Sequence, residues 1–364
     1  MLRIFILQIS GGIMKIYKLR FPGLLLIPLL LSTNLFARFN IWEPQDGVTV
    51  RQGAHIYWSG ETSVAVNHLE QYCVVWSDSH TGSQEIYAKC FDADDNELWP
   101  SAGVQLTSHV AAQNDPVVIA LEDGSWVVGW RDFRNDLEQT GSAQLYLQRV
   151  STTGEPLWED GGIAMTSPVH PADVITLLPS TDNNLLACWS VSNLLTIESV
   201  NDAGSTVWPE PLQIDENCYN QQLLSDNEGG ALMLFVQSEG WSDCLSVNRL
   251  DPDGNLLWGD EASGILVTPD VTNFYEALLF GDGTGGALIV WRDHPAEEYL
   301  VSGQHVTSDG TVNWTDGGSA LVSCEEQFSY FTAATSAPGE LVVAWTEHVA
   351  NQERCLKAQR IVSA

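Results

Sequence analysis

Basic residues are scarce in this chain of 364 residues: 15 lysines and arginines stand against 47 acidic residues and eight histidines, for a formal net charge of −32. Four of the 15 (Arg3, Lys15, Lys18 and Arg20) fall near the N-terminus, and only Lys89 and Lys357 follow as lysines. A polyanion of this kind repels phosphate backbones and anionic headgroups, which excludes nucleic acid as a partner. Paired cysteine spacing is missing too. The seven cysteines (Cys73, Cys90, Cys188, Cys218, Cys244, Cys324 and Cys355) include no CxxC, so zinc and dithiol redox motifs are excluded. There is no HExxH and no compact Ser/His/Asp grouping. Helical periodicity is nearly absent. The one long apolar run, residues 21–31, is short for a membrane span and carries Pro22 and Pro28.

That run fits a secretory signal. Residues 14–20 form a basic n-region, and the small-residue end of 32–37 places cleavage after Ala37. A retained N-terminal anchor is the alternative, and Met14 is the better start. The expectation is therefore a signal peptide over 1–37 and one domain over 38–364, exported to the extracellular space or periplasm. After removal, eleven basic residues face 47 acidic ones, a net charge of −36. An odd cysteine count in an exported chain leaves at least one thiol free or intermolecular.

Tryptophan carries a repeat. Five polar turns run into tryptophan at Trp99, Trp158, Trp208, Trp258 and Trp314. A second set closes apolar runs at Trp76, Trp130, Trp189, Phe235, Trp291 and Trp345, in steps of 54, 59, 46, 56 and 54 residues. Each period reads as four short strands. In the second, 115–121 is strand A, Glu122-Asp123-Gly124 a hairpin turn, and 126–130 strand B. Residues 144–150 form strand C and 156–165 strand D. Four antiparallel strands in about 50 residues make one propeller blade. Tryptophan rings fill the gap between twisted sheets, each burying about 150–250 Å². Trp58, Trp126 and Trp241 fall outside the pattern and are the tryptophans left for a ligand.

The last period has strands A to C (330–335, 340–345 and 354–362) but no turn-plus-tryptophan strand. The matching segment is 40–50, with Trp42. The expected fold is thus all-β: a six-bladed β-propeller whose last blade is closed by this N-terminal strand, which removes an exposed sheet edge. Seven blades would need another period. The register that sets Trp76 opposite Tyr87 in a B–C hairpin also sets Cys73 opposite Cys90, as either a disulfide or a packed pair of reduced thiols.

The motifs Val74-Val75-Trp76-Ser77-Asp78 and Asp251-Pro252-Asp253-Gly254-Asn255-Leu256-Leu257-Trp258, with tyrosine in the alternating strand between, resemble uncharacterised secreted bacterial Trp-rich propeller repeats. The turn is also distantly similar to the Asp-box of sialidase-type propellers, but its glycine lies four residues before tryptophan, not three. Asp-boxes are structural turns, so the resemblance implies a propeller and no chemistry.

In propellers the B–C loops share one face, where ligands bind at the mouth. Asp78, Asp132, Asp293 and Glu347 would form a partial carboxylate ring there, with Arg131, Arg292, His294 and His348 beside them. Such a ring suits a divalent cation, calcium being the candidate, and the arginines suit a carboxylate ligand. The competing reading is one strand-end Asp–Arg pair per blade, because structural features repeat and catalytic ones do not. The turns opening at Asp92 and Asp251 lack the spacing of a calcium loop and read as Asx turns. The chain is thus expected to be a monomeric, non-catalytic binding propeller for a protein or glycan, without a required cofactor. A glycan-active hydrolase or lyase using the same carboxylates is the alternative.

Overall fold

The structure, a computed structural model, describes residues 3–10, 13–20, 48–52, 62–136, 142–167, 172, 174–191, 194–214, 218–239, 242–259, 264–268, 277–293, 299–324, 328–349 and 353–362. It is built from antiparallel sheets, and its contacts divide it into two compact units: residues 1–120 with 124–169, and 121–123 with 170–364.

In the first unit, β1 (Arg3–Ser10), β2 (Ile13–Arg20) and β3 (Val48–Gln52) form a three-stranded sheet. Next come β4 (Thr62–Val66), β5 (Tyr72–Asp78), β6 (Glu85–Phe91) and β7 (Val104–Gln105), then β8 (Gln113–Ala120), β9 (Trp126–Asp132), β10 (Gln144–Val150) and β11 (Ile163–Ala164). Each set is a four-stranded meander. The second unit holds three more such sheets. The first is β12 (Val174–Pro179), β13 (Leu185–Val191), β14 (Leu194–Val200) and β15 (Leu212–Ile214). The second is β16 (Cys218–Ser225), β17 (Ala231–Glu239), β18 (Ser242–Leu250) and β19 (Ile265–Thr268). The third is β20 (Ala277–Gly281), β21 (Ala287–Asp293), β22 (Tyr299–Val306) and β23 (Ser319–Cys324). The sheet of β24 (Phe328–Ala337), β25 (Glu340–Val349) and β26 (Glu353–Val362) has three strands among the described residues. The middle strands β5, β6 and β10 are buried along their whole length, and the polar residues that β6 and β10 carry (Glu85, Lys89, Gln144, Gln148 and Arg149) are buried with them.

The two tryptophan sets do different work. Strand-B rings such as Trp76, Trp130 and Trp291 are fully buried packing. Three of the turn-side rings lie against the next sheet's turn. Trp99 Nε1 donates to the Thr152 carbonyl at 2.9 Å, Trp208 Nε1 to Pro252 at 3.1 Å, and Trp258 Nε1 to Ser308 at 3.0 Å. The glycine of each receiving turn (Gly154, Gly254, Gly310) has positive φ, and a Cβ there would come within 2.9 to 3.2 Å of the ring or its neighbours. Glycine is therefore required twice over, by backbone and by contact. A buried amide on strand C shapes the same turn: Gln148, Asn248 and Gln304 each accept the tryptophan backbone N–H at 3.0 to 3.1 Å.

At the N-terminus the structure differs from expectation. Val48–Gln52 pairs with β2, not with the edge of β26, and residues 40–47 lie outside the described set. A strand bonds to whichever edge is offered, and the β1–β2 hairpin, inside the expected signal segment, offers one in the full-length chain. Trp126 is a second correction. It is wholly buried in the core of the first unit and cannot serve a ligand, because it opens strand B on the core face. Trp58 and Trp241 lie outside the described residues.

Candidate functional site

The predicted site residues sit at the ends of strand B, and in the first unit each is tied to its own sheet. Asp132 is wholly buried. It accepts from Trp130 Nε1 at 2.9 Å, from the Arg134 N–H and Nε at 2.9 Å each, and from Arg134 Nη2 at 2.6 Å. A carboxylate holding four donors is a strand-end clamp and has no lone pair directed at solvent. Asp78 is its counterpart: also buried, it accepts the His80 N–H at 2.9 Å and lies 3.0 Å from His80 Nδ1. The shared signal is an acid two residues ahead of a base at the strand end. Arg131 points elsewhere, to Asp115 at 3.2 Å and over the Phe133 ring.

In the second unit, Glu347 pairs with Lys357 across the β25–β26 ladder. Arg292 and Asp293 end β21 opposite Val301 and Leu300. His348 lies opposite Arg354, and the side chains of Asp293 and His348 are outside the described set, as is all of His294. Among the described residues no three His, Cys, Asp or Glu side chains gather at one point.

Arg134, which the sequence placed in the loop without singling it out, is the link to a groove. Besides clamping Asp132, it stacks over Tyr146 at 4.1 Å and donates to the Gly161 carbonyl at 2.9 Å. Burial opposes its charge, but the hydrogen bond and field of Asp132 outweigh this and raise its pKa above the ordinary value. Its outer side lines a polar groove of about 340 Å³ with Gln105, Ser108, His109, Asp160 and Gly161. The Ala111 N–H donates to His109 Nδ1 at 3.1 Å, which leaves the ring proton on Nε2 as a donor. The groove thus offers donors from His109 and Arg134 and acceptors from the exposed Asp160 and Gln105. A second groove, of about 450 Å³, lies at the A–B turns of the second unit, lined by Leu224, Ser225, Asn227, Thr335, Ser336 and Pro338 among others, and carries no charged side chain.

The turns on the other side of the sheets are closed on themselves. Asp251 Oδ1 accepts the N–H groups of Asp253 and Asn255, and Asp92 those of Asp94 and Asn96, as expected for Asx turns.

No family model matches this chain, and no curated protein matches it in sequence. Solved structures do. A protein from Lactobacillus plantarum is 12% identical with a TM-score of 0.51, covering 99% of this chain and 96% of its own. The β-propeller domain of the trilobed protease from Pyrococcus furiosus is 9% identical, TM-score 0.47, over 85% and 86% of the two chains. An ulvan lyase, a polysaccharide lyase, is 8% identical, TM-score 0.49, over 98% and 91%. At such identities the likeness is one of fold alone. With its succession of four-stranded antiparallel meanders, the fold is all-β and of the β-propeller class.

Proposed function

We propose that the chain is an exported, non-catalytic binding propeller that takes a protein or glycan ligand at the strand-B end of its sheets. One observation carries this reading. Asp132, read from the sequence either as part of a carboxylate ring or as a strand-end pair with arginine, is spent on a strand-end clamp with Arg134, while the groove beside it presents separate hydrogen-bond donors and acceptors with no nucleophile–base pair. A surface of that kind recognises hydroxyl and amide groups.

The test pairs a glycan array and protein-ligand capture with a chromogenic glycoside and polysaccharide panel. His109→Ala and Asp160→Ala alter the groove without touching the Asp132 clamp. The expected result is binding reduced at least tenfold by either change, with no turnover by the parent protein. Turnover that Asp160→Ala abolishes would replace this reading with a glycan-active enzyme. Export is tested separately, by the mass of the secreted chain, which should begin at Arg38.

A further inference from the structure

We infer that Cys73 and Cys90 are a disulfide site that staples strands B and C of the β4–β7 sheet. The two are direct register partners on β5 and β6, and both are wholly buried in one core cluster. Their pairing type follows from the neighbouring strand. Cys90 and Ile86 carbonyls accept the N–H groups of Leu98 and Leu106 on the far side of β6. Backbone polar groups alternate along a strand, so Cys90 makes no ladder bonds to β5. Cys73–Cys90 is therefore a non-hydrogen-bonded pair, the antiparallel position where facing side chains come closest. Both thiols are free in the structure, and the Cα separation of about 4.5 Å usual at such a position falls within the span a disulfide bridges.

The internal repeat supplies an independent reason. At the same register the other described sheets carry Val127 opposite Arg149, Leu186 opposite Ser199, Leu232 opposite Arg249, Leu288 opposite His305, and Val342 opposite Arg360. In four of these the strand-C residue is bonded to its own A–B hairpin: Arg149 to Ser125, Arg249 to Asp226, His305 to Asp282, Arg360 to Glu340. In the β4–β7 sheet both members change together to cysteine, and the hairpin residue, Asn67, bonds to its own turn at Leu69 and Gln71 and to the Gly124 carbonyl. Two coordinated departures at one register position replace a polar tie with a covalent one.

The chemistry needs an oxidant that itself carries a disulfide, such as oxidised glutathione. One cysteine thiolate attacks it, forming a mixed disulfide and releasing a thiol. The second cysteine then displaces the other half. Two protein thiols become one S–S bond, and the oxidant leaves as two thiols with the two protons and two electrons. Burial raises both thiols, Cys90 to about 12, so thiolate is scarce once the sheet has closed. Exchange therefore belongs to folding, before β5 and β6 are covered.

The inference rests on the proposed export only for where an oxidant is met, and its test does not depend on export. The full chain is reduced, denatured, refolded with oxidised and reduced glutathione, alkylated and mapped by peptide mass spectrometry. The expected product links Cys73 to Cys90. Both residues alkylated in most molecules, or either joined to another cysteine, would overturn it. As a second measurement, chain refolded with glutathione should melt about 5 °C or more above chain refolded in reductant. That difference should vanish in the double variant Cys73→Val, Cys90→Ser, which copies the aliphatic–polar pairing of the sister sheets. A difference that persists in the folded variant counts against the pair. Leader processing, read from the mass of the secreted chain, fails or succeeds independently.

Discussion

At the residue scale, the charges in the sheets hold hairpins together and pair locally. Arg249 is nearly buried and holds Asp226 at 2.9 Å. Removing the cation leaves a buried carboxylate without its partner, so Arg249→Leu should lower unfolding free energy by about 3 kcal/mol in denaturant titration. Asp282 answers to pH. Burial raises its pKa, but the His305 hydrogen bond and the N–H groups of Thr284 and Gly286 outweigh burial and hold it below the ordinary carboxylate value. Its folded pKa thus lies below the unfolded one. Its stabilisation is present in full above the unfolded value, about 3.9, and is lost as pH falls through the folded pKa. Acid unfolding midpoints should show this as a shallower acid limb in Asp282→Asn than in the parent. The clamps at Asp132 and Asp78 are further local pairs at strand ends. Their positions were legible from the repeat, but their partners, Arg134 and His80, were not singled out because hydrogen-bond direction is not encoded in spacing.

At the scale of elements, three tryptophans (Trp99, Trp208 and Trp258) tie a sheet to the next turn, and glycines lie beneath rings. A Cβ on Gly162 would lie 2.6 Å from Trp130 and 2.7 Å from the Leu147 carbonyl, at φ +83°. Gly162→Ala should therefore destabilise by at least about 2 kcal/mol, from backbone strain and collision together. Gly82 also has positive φ, at +114°, but a Cβ there meets nothing within 4 Å. Gly82→Ala should cost only the strain, about 1 kcal/mol. Thermal melts of the two variants separate contact from conformation. Trp258→Phe removes the bond to Ser308 and part of a buried ring, and should cost about 2 kcal/mol. The four strands of the second period were legible, with strand C at 144–150 matching β10. The sequence places strand D at 156–165, yet only Ile163–Ala164 pairs as a strand, because a turn and Trp158 occupy the earlier positions.

At the scale of the molecule, a strong net negative charge governs behaviour in salt. Self-repulsion is screened with a Debye length of about 10 Å at 0.1 M ionic strength. The melting temperature should rise between about 10 mM and 0.5 M sodium chloride. Millimolar calcium at matched ionic strength tests the sequence-based expectation of a cation separately: a further rise supports it, and an unchanged melt removes it. No helix among the described residues is long and apolar enough to cross a membrane.

The sequence alone determined the class of fold, the period and the B–C register, since tryptophan spacing and strand alternation are local signals that survive without a partner. It also determined that Cys73 faces Cys90. Tertiary structure decided what the polar groups are for. Whether a strand-end aspartate coordinates, catalyses or clamps depends on which donors lie within 3 Å, and those come from the following loop and from a ring two residues back on the same strand. The same holds for the groove at His109 and Asp160, assembled from two sheets of one unit, and for β3, whose pairing is set by the edge within reach. The scarcity of basic residues is plain in the composition; only packing shows how the few that remain are used.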